Sequence, residues 1–223
     1  PVPVAPPPVL PVRRDATVCH DEAAAKARLA GRGIAVPDGR VADSPKAAGD
    51  AAAALGGTVV LKGLGAAHKS EAGLVALGLT GAEAVTEAAR AMPARRFLVE
   101  RLVPGAVAEL LLGVTADPAH GVVLTLGAGG TRAEIWRDTV SLMVPATRDD
   151  VDAALDRLRV APLLRGWRGR PGADRAAILD AAMALQACAA APDGPQNIEI
   201  NPLLCLPEGA VAADALIGTG DET

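Results

Sequence analysis

The chain has 223 residues, half of them hydrophobic but only 1% aromatic, so Ala, Val and Leu must fill its core with many small contacts. A formal net charge of −4 with dispersed Lys and Arg offers no basic stripe for a phosphate backbone, which excludes a nucleic-acid binder. No apolar stretch reaches the roughly 20 residues that span a bilayer, and no signal-like segment opens the chain. Cys19, Cys188 and Cys205 show neither close pairing nor zinc-site spacing. The expectation is a reduced, cytoplasmic protein with no membrane or nucleic-acid partner.

The chain begins at Pro1, and Pro3, Pro6, Pro7, Pro8 and Pro11 follow at once. This composition predicts a semi-rigid extended linker over residues 1–14, as in a piece of a longer polypeptide. Ala-rich sequence from Cys19 to Arg32 predicts a helix stopped by Gly31 and Gly33, and Ala47 to Leu55 a second one. Thr58 to Lys62 is a β-branched run that reads as a strand. Gly73 to Leu79 reads as another strand, Glu83 to Met92 as a helix and Arg96 to Leu102 as a strand, so the first lobe is mixed α/β. The apolar runs Ala108–Thr115 and Val122–Leu126 flank turn residues Asp117 to Gly121 and predict an antiparallel hairpin. Helices are expected at Arg148–Arg159, where Val151, Leu155 and Leu158 repeat on one side, and at Asp174–Ala190. Strands at Asn197–Leu206 and Ala210–Ala215, joined across Pro207-Glu208-Gly209, end the second lobe, and the last residues form a polar tail.

Side chains alternate along a strand, so Glu199 and Asn201 share a face. A two-residue turn at Glu208-Gly209 puts Asp214 on that face as well, diagonal to Asn201. Three oxygen-bearing side chains in an apolar hairpin suit Mg²⁺, which takes one or two protein oxygens and completes its octahedron with water and phosphate; they would equally serve to satisfy backbone groups at a sheet end. Lys62 closes an apolar strand, either as a snorkelling surface lysine or as a cation held by an anion. His68 lies in the loop Gly63 to Ser70 and is either an exposed histidine or a nucleophile for phosphoryl groups. Gly127-Ala128-Gly129-Gly130 follows a strand and is an anion-binding nest or simply a turn. It has neither a dinucleotide fingerprint nor a P-loop ending. Glu134 and Asp138 are metal or phosphate ligands or surface charges. Glu100 and Glu109 flank Arg101-Leu102-Val103-Pro104-Gly105, a hinge-like transition, and are otherwise solvated strand ends.

In this order, the segments Val59 to Lys62, Ala67 to Leu74, Val99 to Gly105, Glu109 to Val114, Gly127 to Gly130 and Glu199 to Leu204 resemble the ATP-grasp domain of ADP-forming acyl-CoA synthetases, relatives of the succinyl-CoA synthetase β subunit. The resemblance runs from about Asp15 to Ile217. It implies an α/β (α+β) ATP-grasp fold of two lobes, residues 15–98 and 99–218, with the nucleotide between them and a polar tail at 219–223. It implies ATP or ADP and Mg²⁺ as cofactors. Adenine would lie against Glu100, Arg101, Leu102 and Val103, the ribose at Glu109, and phosphates at Gly129, Gly130 and Lys62. Asn201 and Asp214 would hold Mg²⁺, with Glu199 close by. The implied chemistry is that of an acid–CoA ligase, ADP-forming: a phosphohistidine on a separate CoA-ligase domain passes its phosphoryl group to His68, which passes it to ADP, with Lys62 assisting. The implied partners are CoA-binding and CoA-ligase domains, fused upstream or carried on a separate subunit, through which a small carboxylic acid or acyl-CoA is handled; a homo-oligomer is left open.

Two positions depart from the family pattern. Leu142 stands where the family usually has an arginine, and Gly65-Ala66-Ala67 replaces a Pro-Asp-Ile-like segment before His68. The alternative reading is therefore a non-catalytic, nucleotide-binding regulatory module.

Overall fold

The computed structural model describes residues 10, 12, 21–65, 73–130 and 133–218. They fall into two compact units. Residues 21–24 and 36–104 belong to the smaller, and 10, 12, 25–35 and those from Gly105 onward belong to the larger.

The smaller unit contains β1 (Gly39–Ala42), α2 (Pro45–Leu55), β2 (Thr58–Gly63), β3 (Val75–Thr80), α3 (Ala82–Ala91) and β4 (Phe97–Arg101), while α1 (Glu22–Ala30) contributes its first turn. The strands form an antiparallel sheet in the order β1-β4-β2-β3. Strand alternation sends Val59, Leu61, Phe97 and Val99 into one core with Ala48, Ala52, Val85 and Ala89 of α2 and α3. The opposite face carries Val60, Lys62, Leu98 and Glu100, all buried. Helix α2 starts at Pro45 because Ser44 caps it, accepting from the Ala47 N–H at 3.2 Å, and Gly56 at φ +68° ends it. Gly49 substitutes close approach for bulk: a Cβ there would lie 2.1 Å from Thr86 Oγ1 and 2.7 Å from the Ala82 carbonyl oxygen. In the edge strand β3 the register slips by one residue, setting Leu77 and Gly78 against Val60, with Gly78 at φ +73°.

The larger unit contains β5 (Ala108–Asp117), β6 (Gly121–Ala128), α4 (Ala133–Trp136), β7 (Thr139–Met143), α5 (Arg148–Arg157), α6 (Ala161–Arg165), α7 (Arg175–Ala190), β8 (Asn197–Cys205), β9 (Ala210–Ala212) and β10 (Ala215–Gly218). Its antiparallel sheet runs β10-β8-β5-β6-β7, with β9 pairing β8. Leu110, Leu112, Leu124, Leu126, Ile198 and Ile200 are fully or almost fully buried on one face, and α5 and α7 pack against β5, β7 and β8. A capping box at Thr147 and Asp150 starts α5, and Asp174 caps α7. The end of α1 closes in a Schellman motif: Gly33, at φ +87°, donates to Ala30, and Ile34 donates to Leu29.

Several sequence expectations change in register or extent. The chain leaves the smaller unit only after Pro104, not at residue 98, because β4 pairs with both β1 and β2. Leu10, inside the expected linker, donates to Val144 and accepts from Val122. The final turn centres on Pro207-Glu208, since Leu206 N–H donates to the Gly209 carbonyl at 3.1 Å. Leu203 therefore faces Ala212 and Ile200 faces Ala215, which puts Asp214 directly across from Asn201 rather than diagonal to it. The expected strand at 210–215 divides at Ala213-Asp214 and resumes as β10. β1, α4, β7 and α6 have no counterpart among the expected elements; all are five residues or fewer.

Candidate functional site

Lys62 is neither on the surface nor snorkelling. Its side chain is 8% exposed, and Nζ lies 2.5 Å from Glu22 Oε1 and 3.2 Å from Glu100 Oε2. Glu22 and Glu100 are themselves buried, at 2% and 3% exposure. Alternation along β2 and β4 puts Lys62 and Glu100 on the sheet face away from α2 and α3, and the first turn of α1 brings Glu22 to them. Burial of a charge is tolerable only with such pairing. Glu100 is thus a structural counter-ion, and Glu22 is a member that the sequence pattern missed, 40 residues away on a different element.

Arg101 points to the other face of β4. Its guanidinium donates to the Leu55 carbonyl at 2.5 Å, closing the C-terminus of α2, and lies 3.9 Å from Asp38. Its backbone N–H donates to Asp38 and that of Leu102 to Thr58, whereas the Val103 N–H donates to no group among the described residues. Of the expected hinge, Val103 and Gly105 are the positions whose N–H donates to no group among the described residues.

The second group lies on the face of the larger sheet turned away from α5 and α7. Between the pairs Leu110–Leu203 and Leu112–Ile200, β8 carries one residue more than β5, so Asn201 and Pro202 stand opposite Leu111. Ile200 and Leu203 remain buried on either side, and the bulge turns Asn201 away from the core. Asn201 Oδ1 accepts from the Gly130 N–H at 2.9 Å, and its Nδ2 lies 3.5 Å from Glu199 Oε1. Its backbone N–H donates to the Asp214 carbonyl at 3.2 Å. Glu109 lies over the same turn: the Gly129 N–H donates to the Glu109 carbonyl at 2.8 Å, and a Cβ on Gly130 would sit 1.9 Å from Glu109 Oε2. A Cβ on Gly129 would lie 2.5 Å from the Leu110 carbonyl atoms, so close approach to backbone requires glycine there, while Gly130 sits at φ +79°. Beside Glu199 a groove is lined by Gly113, Thr115, Thr125, Asn197 and Gly218.

The donor set fits a hard cation that keeps water and phosphate ligands. It offers two carboxylates and an amide oxygen whose second lone pair is not used by Gly130. Among the described residues no group of three or more His, Cys, Asp or Glu could form an all-protein metal cage.

Other expectations resolve differently. The Asp138 carboxylate accepts from the Arg159 and Val160 N–H groups at 2.9 and 3.1 Å and is buried, so it anchors the entry to α6 and is not a surface charge. Leu142 pairs with Leu124 on the helix-packed side of the sheet, away from the face that holds Glu109 and Asn201. The Cys205 thiol is pushed up to about 12 by burial, with the nearby Glu109 charge adding to the effect, and is no nucleophile at neutral pH. His68 and the side chain of Glu134 lie outside the described residues. Among the described residues no helix is long and apolar enough to cross a membrane.

The sequence matches an ATP-grasp domain family over residues 12–218. It is 35% identical over 213 residues to a trans-feruloyl-CoA synthase from an unknown prokaryotic organism, aligning 86% of this chain with 29% of that protein. The chain therefore spans less than a third of that relative's length. Identity to the β subunit of the ADP-forming acetate–CoA ligase I of Pyrococcus furiosus is 28% over 196 residues, covering 82% of this chain and 84% of the subunit. Among solved structures, Ca. Korarchaeum cryptofilum ACD1 with coenzyme A superimposes with a TM-score of 0.81 at 28% identity, covering 90% of this chain and 92% of that one. The dinucleotide-forming acetyl-coenzyme A synthetase 1 of the same organism, with coenzyme A, Mg-AMPPCP and a phosphohistidine segment pointing towards the nucleotide site, gives 0.78 at 28% identity, with coverage of 89% and 92%. A match over nearly the whole chain, on a fold with two mixed α/β units, establishes that this chain belongs to the ATP-grasp domain family.

Proposed function

We propose that this chain is the nucleotide-binding portion of an ADP-forming acyl-CoA synthetase, an acid–CoA ligase, and that it moves a phosphoryl group between His68 and a bound adenine nucleotide. The observation that supports this reading is that Asn201, hydrogen-bonded to the Gly130 turn under Glu109, has Glu199 at its amide and Asp214 paired across from it on the neighbouring segment. The likeness to a synthetase solved with Mg-AMPPCP supports it.

In this reading Glu109 accepts from the ribose hydroxyls and the Val103 N–H donates to adenine, while the Gly129 and Gly130 N–H groups, already given to Glu109 and Asn201, make the turn a close-approach wall beside the phosphates rather than their donor. Glu199, Asn201 and Asp214 hold Mg²⁺, which when bound neutralises charge on the phosphate oxygens. Lys62 serves phosphate only if phosphate oxygens share its ammonium with Glu22 and Glu100. A neutral imidazole nitrogen of His68 attacks the phosphorus of a partner domain's phosphohistidine as that P–N bond breaks. A terminal phosphate oxygen of ADP then attacks the phosphorus, the His68 P–N bond breaks, and ATP leaves. CoA-binding and CoA-ligase domains elsewhere carry the acyl chemistry.

The test is labelling with Mg-[γ-³²P]ATP. An acid-labile phosphohistidine that disappears in His68→Ala is expected, and an unchanged yield of label in that variant refutes the assignment.

A further inference from the structure

Asn201 makes two contacts that fix its amide in one orientation. Oδ1 accepts from Gly130 N–H at 2.9 Å and Nδ2 faces the Glu199 carboxylate at 3.5 Å. A flipped amide would set donor against donor and acceptor against acceptor. Gly130 in turn accepts through its carbonyl from Ala133 N–H at 3.1 Å, the first residue of α4, and Ala133 accepts from Arg137 at 3.0 Å. The far side of this excursion is anchored, because Ala128 donates to the Asp138 carbonyl while the Asp138 carboxylate holds Arg159 and Val160. At the end of α4, Trp136 walls a groove with Val160, Leu163 and Arg159. A continuous hydrogen-bonded path thus runs from Asn201 through Gly130 to α4, the helix that ends in Trp136, within one unit.

We propose that Asn201, besides helping Glu199 and Asp214 hold the cation, ties the Gly129-Gly130 turn and α4 to it, so that occupancy of the cation site is transmitted to the surface at Trp136. This rests on the nucleotide and metal reading given above. A carbonyl-type oxygen has two lone pairs, and Gly130 uses one. A cation taking the other, while drawing Glu199 from Nδ2, reorients the amide and with it the peptide at Gly130. Gly130 is tied on both sides of its peptide unit, its N–H to Asn201 and its carbonyl to Ala133, so a shift at Asn201 is passed on to α4.

The chain has two tryptophans and no tyrosine, so Trp167→Phe leaves Trp136 as the sole fluorophore of its kind. In that background MgCl₂ is titrated at fixed ADP, with calorimetry reporting binding and Trp136 emission and acrylamide quenching reporting the position of α4. A Mg²⁺-dependent Trp136 response is expected. Asn201→Ala weakens Mg²⁺ binding about tenfold and abolishes the response even at saturation, while Asn201→Asp, which keeps an oxygen acceptor, restores it; far-UV circular dichroism checks that both variants are folded. An undiminished response in Asn201→Ala at saturation overturns the proposal, as does Mg-ADP binding without any Trp136 response, and both leave the nucleotide reading standing. If calorimetry detects no Mg²⁺-dependent ADP binding, that reading falls and takes this proposal with it.

Discussion

Replacing Lys62 by Met keeps most of the side-chain volume and removes the charge between two buried carboxylates. Glu22 and Glu100 are 2% and 3% exposed, and Lys62 reaches both within 3.2 Å. Removing one partner of a buried ion pair costs roughly 3–5 kcal/mol. With a urea dependence of about 2 kcal/mol per molar, the unfolding midpoint falls by about 1.5–2.5 M. Far-UV circular dichroism is the assay, because both tryptophans lie in the larger unit. Lys46→Met provides the contrast: Lys46 pairs with Asp50 at 2.8 Å, but the two side chains are 83% and 67% exposed. That change moves stability by about 0.5 kcal/mol or less. Adding Glu22→Gln and Glu100→Gln to Lys62→Met recovers part of the loss, since the stranded charges are then gone. A Lys62→Met midpoint within about 0.3 M of the parent would refute the buried-ion account and leave Lys62 as a cation held for phosphate alone.

Gly49→Ala destabilises the protein in thermal melts, although Gly→Ala in a helix interior ordinarily gains about 1 kcal/mol, because the added methyl meets Thr86 and the Ala82 carbonyl; a gain in melting temperature would contradict this packing. Gly129→Ala is more damaging than Gly130→Ala in both melting temperature and Mg-ADP affinity, because the first methyl strikes the Leu110 backbone and the second the movable end of Glu109; the reverse order would count against the placement of the turn. The Asp174 carboxyl is held below its ordinary value by N–H groups of Gly209 and Ala177. Its contribution is therefore present above about pH 4, the ordinary aspartate value, and is lost as pH falls further. In urea titrations the gap between the parent and Asp174→Ala should be full at pH 5–7 and narrow below about pH 4; a gap independent of pH would remove the carboxylate from the account.

Most long elements were legible because their signals are local. Thr58 to Lys62, the hairpin around Asp117 and the helices capped by Thr147 and Asp174 each carry their own pattern or cap. Short elements were not: Gly39–Ala42 becomes a strand only because β4 offers it a partner. At the site, sequence alternation correctly placed Glu199 and Asn201 on one face. It gave Asp214 the wrong neighbour position because the turn centre was set one residue late. The partners of Lys62 and the bulge at Asn201-Pro202 depend on pairing between distant segments, which no single-strand pattern encodes.

The slipped register of β3 has a consequence for the protein as a solute. An edge strand displays a row of unpaired backbone groups on which a second extended chain can assemble. Here Leu77, 69% exposed, would make such a strand adhesive. Gly78 at φ +73° breaks the row midway, although a Cβ there would meet nothing within 4 Å. Packing does not ask for glycine at this position; the backbone bend does. A β-branched residue at 78 would favour a straight ribbon, and the concentration at which the protein stays clear in solution would then be set by chain-to-chain stacking rather than by its net charge.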